Sequence, residues 1–179
     1  TSNIGLGANA VDSITTGDFN VGLGDSAGTA ITTGTSNTAV GDSSLKDLST
    51  GSSNTAVGDS ALNNTTTASH NTAIGQKSLF TNTTGDQLTS IGVESLQANT
   101  TGHSSIAVGY RALYSNTTAT YNVAVGKRAL QANTTGADNV AVGGDALVAN
   151  TTAANNTAVG REAGKSITTS ADNVYIGKG

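Results

Sequence analysis

The stretch Asn122-Val123-Ala124-Val125-Gly126 is one copy of a five-residue string that ends in glycine and recurs every 17 residues along the whole chain. Eleven copies follow one another without an insertion or deletion, and an aliphatic residue precedes the glycine in each. The recurring glycines are Gly7, Gly24, Gly41, Gly58, Gly75, Gly92, Gly109, Gly126, Gly143, Gly160 and Gly177. A fixed period over the full length indicates a solenoid, in which each repeat stacks on its neighbours.

The composition is consistent with one thin repeat domain. The chain has 179 residues, lacks Pro, Cys, Met and Trp, and contains only four Tyr and two Phe. Small and β-branched residues must therefore fill the core, and the 23 glycines, most of them at fixed repeat positions, indicate turns. We predict a single β-roll domain over residues 1–179, built from eleven repeats of which the last is partial.

We number each repeat from the residue four before the recurring glycine, so that this glycine is position 5. Position 1 is Asn in nine of eleven copies, position 2 is Val, Ile or Thr, position 3 is mostly Ala, and position 4 is Val, Ile or Leu. These positions predict a short strand, and the Thr-rich positions 11–14 predict a second one. The expected fold is an all-β parallel β-solenoid whose ten stacked coils span on the order of 48 Å.

Alternation along the strand predicts which side chains face the core. We expect positions 2 and 4 to point into the coil and the alanine at position 3 to point outward. A small apolar column on the outside is typical of a strand that is buried on both faces, so a second copy of the chain is the expected partner. The predicted chain-facing residues are Ala39, Ala56, Ala73, Ala107, Ala124, Ala141 and Ala158.

The charged residues and the substitutions in the end repeats also fall at fixed repeat positions. Twelve of the 20 charged residues lie at positions 6 and 7 with mixed signs, which predicts a solvated edge just after the glycine. The end repeats replace the usual leucine of position 9 with Gly28 and Gly164, and carry Ile31 and Ile167 at position 12. The apolar contact is therefore expected to move from position 9 to position 12.

The strings Ser105–Gly109, Asn122–Gly126 and Asn139–Gly143 resemble the head repeats of trimeric autotransporter adhesins, and the Asn-Thr-Thr-Gly segments resemble repeats of bacteriophage tail fibres. The resemblance covers all eleven repeats, although the familiar adhesin repeat is shorter than 17 residues. It implies a left-handed parallel β-roll that packs as a homotrimer. It also implies an extracellular adhesive fibre segment, on a virion or a bacterial surface, that binds a host-surface glycan or protein receptor.

Several partners are not expected. A net charge of −4 and a pI near 4.8 disfavour nucleic acid, and the sequence has no apolar run long enough to span a membrane. No nucleophile–histidine pairing, phosphate loop or periodic Asp turn is present, so we predict neither an enzyme nor a cofactor or metal site. The chain begins and ends in repeat register, which predicts a segment of a longer fibre.

Candidate ligand contacts are few in so uniform a repeat. Tyr110, Tyr114 and Tyr121 fall within 12 residues, and exposed tyrosines stack on sugars; the alternative is a tolerant rim without a ligand. His70 and His103 are interpreted as surface histidines, with an anion-binding ring at a threefold axis as the alternative.

The Thr-Thr pairs at positions 13 and 14 suggest either ice binding by a monomeric solenoid or a structural ladder, and a monomer would otherwise serve as a spacer. The asparagines of positions 1 and 12 are expected to stack and to satisfy backbone groups of the turns. Five of them also match a glycosylation pattern, which follows automatically from the repeat: Asn82, Asn99, Asn116, Asn133 and Asn150.

Overall fold

A computed structural model describes residues 2–179 as an all-β parallel solenoid of about ten turns with 17-residue coils. Each coil contributes one three-residue strand, and the eleven strands form a single parallel sheet in sequence order. The strands are β1 Ile4–Leu6, β2 Val21–Leu23, β3 Thr38–Val40, β4 Thr55–Val57, β5 Thr72–Ile74, β6 Thr89–Ile91, β7 Ile106–Val108, β8 Val123–Val125, β9 Val140–Val142, β10 Thr157–Val159 and β11 Val174–Ile176.

The register confirms that the glycine period is the coil. Each strand residue pairs with the residue at the same repeat position one coil further on, as Ala39 does with Ala56 and Val40 with Val57. Every repeat position therefore forms a straight column along the solenoid. One substitution in the sequence changes one rung of one column, and its neighbours lie 17 residues away in both directions.

The predicted second strand at positions 11–14 is wrong, because this part of each coil is a bend. Non-glycine residues with positive φ at positions 7, 9 and 17 turn the chain instead of extending it, as Ser43, Leu45 and Ser53 do. Alternate backbone N–H groups still bond to the next coil; Leu45 N, for example, donates to Ala61 O at 3.0 Å. The coils are thus tied together around their circumference, although only positions 2–4 form a strand.

The predicted orientation of the strand is also wrong. The alanines of position 3 are fully buried in the core, and positions 2 and 4 point outward. The interior beside the strand is narrow: a Cβ added at Gly22, which stands at position 3, would lie 2.8 Å from Ala27 O. Only small residues fit inside, so the larger aliphatic side chains lie outside. The alanines cannot face another chain: Ala39, Ala56, Ala73, Ala107, Ala124, Ala141 and Ala158.

The rest of the core comes from the far wall of the coil. The leucines of position 9 are fully buried and pack with the small residues of positions 3 and 8. In the coil where Gly28 replaces the leucine of position 9, the expected move of the apolar contact to position 12 is confirmed. Ile31 Cδ1 lies 2.9 Å from where a Cβ of Gly28 would stand. At Gly164 the corresponding space is occupied by Leu147 and Tyr175 instead, while Ile167 packs at the margin of the core.

Candidate functional site

The parallel sheet has two edges that carry different chemistry. Because all strands run the same way, positions 15–17 line one edge, here called the amino edge, and positions 5–7 line the other, called the carboxyl edge. Tyr121 lies two residues before β8 on the amino edge, whereas Tyr110 lies two residues after β7 on the carboxyl edge. Residues that are close in sequence are therefore placed at opposite ends of the strands.

The carboxyl edge is the solvated, charged edge that the sequence predicts. Most position 6 side chains are exposed, and no described residue at position 6 or 7 is buried. Opposite charges in successive coils pair along it: Arg111 Nε lies 2.5 Å from Glu94 Oε2, and Arg128 Nε lies 2.6 Å from Asp145 Oδ1. The hydrogen bond from Arg128 holds the pKa of the Asp145 carboxyl below its usual range. Mixed signs thus replace repulsion with pairing between neighbours.

Two of the three predicted contact tyrosines, Tyr110 at position 6 and Tyr114 at position 10, meet at Arg111 of this edge. The guanidinium carbon of Arg111 lies 5.1 Å from the ring centroid of Tyr110 and 5.1 Å from that of Tyr114. Cation–π contacts of this kind hold both rings against a side chain that already pairs with Glu94. Tyr110 and Tyr114 therefore belong to a network of contacts between surface side chains of the same chain.

The third tyrosine belongs to a different setting, on the amino edge. The rings of Tyr121 and His103 meet edge to face, with centroids 5.4 Å apart and planes at 88°. They border a shallow groove of about 340 Å³ that extends over three coils. The groove is lined by Thr84, Asp86, Gln87, Thr101, His103, Ser104 and Tyr121. The sequence analysis named Tyr121 and His103 separately but did not predict that they meet, and it missed the other lining residues, which become adjacent only through the 17-residue stacking.

The two asparagine columns confirm the predicted role of satisfying the turns. In the first column, Asn37 Nδ2 donates to Asn20 Oδ1 at 3.0 Å and to Gly51 O, at position 15 of its own coil, at 2.9 Å. In the second column, Asn99 Nδ2 donates to Asn82 Oδ1 at 2.8 Å. Both columns are buried except at the two end residues Asn3 and Asn173, so the five glycosylation-pattern asparagines have no accessible amide in the folded chain.

The second column takes over where the first is interrupted. Position 1 lacks asparagine only at Leu88 and Ser105, and in those coils the position 12 asparagines donate to the position 15 carbonyl instead. Asn99 Nδ2 reaches Gly102 O at 3.0 Å, and Asn116 Nδ2 reaches Ala119 O at 3.1 Å. Position 12 is apolar or threonine only in coils whose position 1 is asparagine. In every coil between residues 20 and 153, the backbone carbonyl of position 15 therefore accepts a hydrogen bond from an asparagine side chain.

We expect Asn99→Leu to destabilise the chain more than Asn133→Leu, by about 1–3 kcal/mol, because only the first leaves a buried backbone carbonyl of position 15 without a side-chain donor. Gly136 O also accepts from Asn122 Nδ2 at 2.9 Å, so it keeps a partner when Asn133 is replaced. Leucine is tolerated at position 12 in the native chain as Leu48. Urea unfolding followed by circular dichroism measures the difference; equal midpoints for the two variants would contradict this account.

Of the two alternatives for the threonine pairs, ice binding or a structural ladder, the structure shows the ladder in part. At position 13 the hydroxyl donates to the carbonyl of the same position one coil on, as Thr83 Oγ1 does to Thr100 O at 3.0 Å. At position 14 the side chains are exposed, as at Thr84 and Thr101. Both threonines thus lie on the outer surface, but the position 13 hydroxyls are engaged in holding the coils together.

The outward strand face carries an apolar column along the length of the sheet. Position 4 presents an aliphatic column along the whole sheet, and position 2 adds threonine, valine or isoleucine beside it. Members of this face that are more than a third exposed in the single chain are Ile4, Leu6, Ile74, Ile91, Ile106, Val142, Val159, Val174 and Ile176. This apolar face is therefore a candidate interaction surface.

Comparisons of this chain with family models, curated proteins and solved structures give no match. Within residues 2–179, no helix is long and apolar enough to cross a bilayer. In the same range, no three His, Cys, Asp or Glu side chains come together in a way that would hold a metal ion. The geometry of the two edges and of the outward face is therefore what bears on function.

Proposed function

We propose that this chain is a segment of a trimeric adhesive fibre, outside the cell on a virion or a bacterial surface, that presents a receptor-binding surface. The observation that carries the proposal is the outward strand face, which is aliphatic at every position 4 and extends along the whole sheet. Burying this face against two further copies removes it from water. The number three and the left-handed coil come from the resemblance to adhesin heads and tail fibres.

In this proposal, chain association and receptor binding use different surfaces. The charged carboxyl edge and the polar amino edge flank the apolar strand face, so association through that face leaves both edges available to solvent. Three identical solenoids would then present each surface feature three times, and multivalent attachment raises avidity without any new contact. The partner of the edges is a host-surface glycan or protein, and the role is binding without catalysis.

Light scattering on the purified chain tests the oligomer. We expect a mass three times the 17.5 kDa of the chain. Val142→Lys places a charge on the outward face, where Val142 is 37% exposed in the single chain, and should yield monomers. Val93→Lys is the matched control, because Val93 is 41% exposed but lies at position 6 of the carboxyl edge, and this variant should stay trimeric. A folded wild-type monomer would overturn the proposal.

A monomeric ice-binding or spacer solenoid is the second candidate, and one observation favours ice binding. Four successive coils present threonine at position 2 and valine or isoleucine at position 4 on the same outward face. These pairs are Thr38 and Val40, Thr55 and Val57, Thr72 and Ile74, and Thr89 and Ile91. One face cannot meet both ice and partner chains. Thermal hysteresis shown by a monomer would favour this candidate, and its absence in a trimer would remove it.

A further inference from the structure

The groove on the amino edge lies where the repeat departs from its own pattern. Elsewhere position 1 is asparagine, but two of the three coils that carry the groove have Leu88 and Ser105 there. Positions 16 and 17 are mostly small or short polar residues in other coils, whereas here they include Gln87, His103 and Tyr121. The asparagines of position 12 compensate for the change inside the core. The chain thus keeps its fold while altering one local stretch of one edge.

The groove combines an aromatic surface with hydrogen-bonding groups. Tyr121 is 56% exposed, and its edge-to-face contact with His103 limits the motion of the ring. Ser104 Oγ donates to Gln87 Oε1 at 3.2 Å, so the amide of this groove residue is held in place. Asp86 Oδ1 accepts from Ser69 N at 2.5 Å, so the carboxylate is also held in place. An apolar ring face beside oriented polar groups matches the two kinds of surface on a pyranose.

The charge and the size of the groove restrict the class of ligand that it can bind. Asp86 lies in the groove and Asp138 follows Tyr121 at position 17 of the next coil, so the field along this stretch disfavours an anion. The volume of about 340 Å³ is at the low end for ligand sites. Three coils at a spacing of about 4.8 Å give a groove roughly 10 Å long.

We propose that this groove is a binding site for a neutral saccharide, with one pyranose ring stacked on Tyr121 and its hydroxyls bonded to Asp86 and Gln87. The proposal rests on the adhesive role proposed above and assigns it a location. The site lies on the amino edge, away from the outward strand face, so the saccharide and the partner chains occupy different surfaces. Repetition over three chains would raise the avidity of a weak single site.

The test measures saccharide binding by saturation-transfer NMR and by titration, using maltotetraose, cellotetraose, lacto-N-neotetraose and the anionic 3′-sialyllactose. Tyr121→Ser is the main variant, because serine occupies position 17 with the same positive φ at Ser36, Ser53 and Ser104. Tyr110→Gln is the matched control; it removes a tyrosine from the other edge, and glutamine stands at position 6 as Gln76.

We expect at least one neutral oligosaccharide to bind, with affinity lowered about three- to tenfold by Tyr121→Ser and unchanged by Tyr110→Gln. Binding that survives Tyr121→Ser, a preference for sialyllactose, or no binding by any member of the panel would overturn the groove assignment. Light scattering on the same samples separates the two proposals. A trimer that binds no saccharide contradicts only the groove assignment, and a monomer contradicts only the fibre proposal.

Discussion

Gly143→Ala should destabilise the solenoid by about 3–5 kcal/mol, whereas Gly144→Ala, one residue later, should be neutral or stabilising by up to about 1 kcal/mol. Gly143 is a recurring glycine of position 5 with φ of 135°, a region that side-chain-bearing residues rarely adopt. A Cβ added there would stand 2.4 Å from Gly160 O of the next coil. Stacking cannot relax this overlap, because moving one coil breaks its register with the next.

The neighbouring glycine provides the matched control. A Cβ on Gly144 would have Lys127 O at 4.0 Å as its nearest contact, so alanine fits there without displacement. Both variants differ from the parent by one methyl group within the same turn. Chemical unfolding and amide hydrogen exchange of β9 and β10 measure the outcome at fixed protomer concentration. Similar stability of the two variants would show that position 5 does not require glycine.

Leu113→Ala should cost about 3 kcal/mol, because it removes a fully buried side chain from a wall that cannot close over the gap. Leu113 stands at position 9 with φ of 50°, where the burial of leucine offsets a strained backbone. Alanine keeps the strain and loses the packing. Val93→Ala, on the exposed carboxyl edge, should change stability by less than about 0.5 kcal/mol.

The strain at position 9 predicts an unusual order of variants. In an ordinary helix or strand, glycine is less stable than alanine by about 0.5–1 kcal/mol. At Leu113 we expect glycine to be no worse than alanine, because glycine tolerates positive φ. The chain itself uses glycine at this position as Gly28 and Gly164, with φ of 63° and 61°. Urea midpoints of the two variants decide the matter, and a clearly less stable Leu113→Gly would rule out backbone strain as a factor.

Features that depend on one repeat position could be predicted from the sequence. The glycine of position 5, the charged positions 6 and 7 and the amides of positions 1 and 12 recur in columns, so each local preference appears many times in the sequence. The groove was harder to predict, because Asp86, His103 and Tyr121 are far apart in sequence and meet only by stacking. Interruption of the asparagine column at Leu88 and Ser105 was the available signal.

The sequence by itself determined the 17-residue coil, its glycine turn and its charged edge, because a strict period leaves only one way to stack the repeats. Only the tertiary structure decided which strand face is inside. Positions 2, 3 and 4 are all free of charge, so alternation alone cannot orient the strand. The choice depends on the width of the coil, which the buried leucines of position 9 set from the far wall. In that narrow interior small residues, mostly alanine, fit beside the leucines, and the larger aliphatic residues form the outward face.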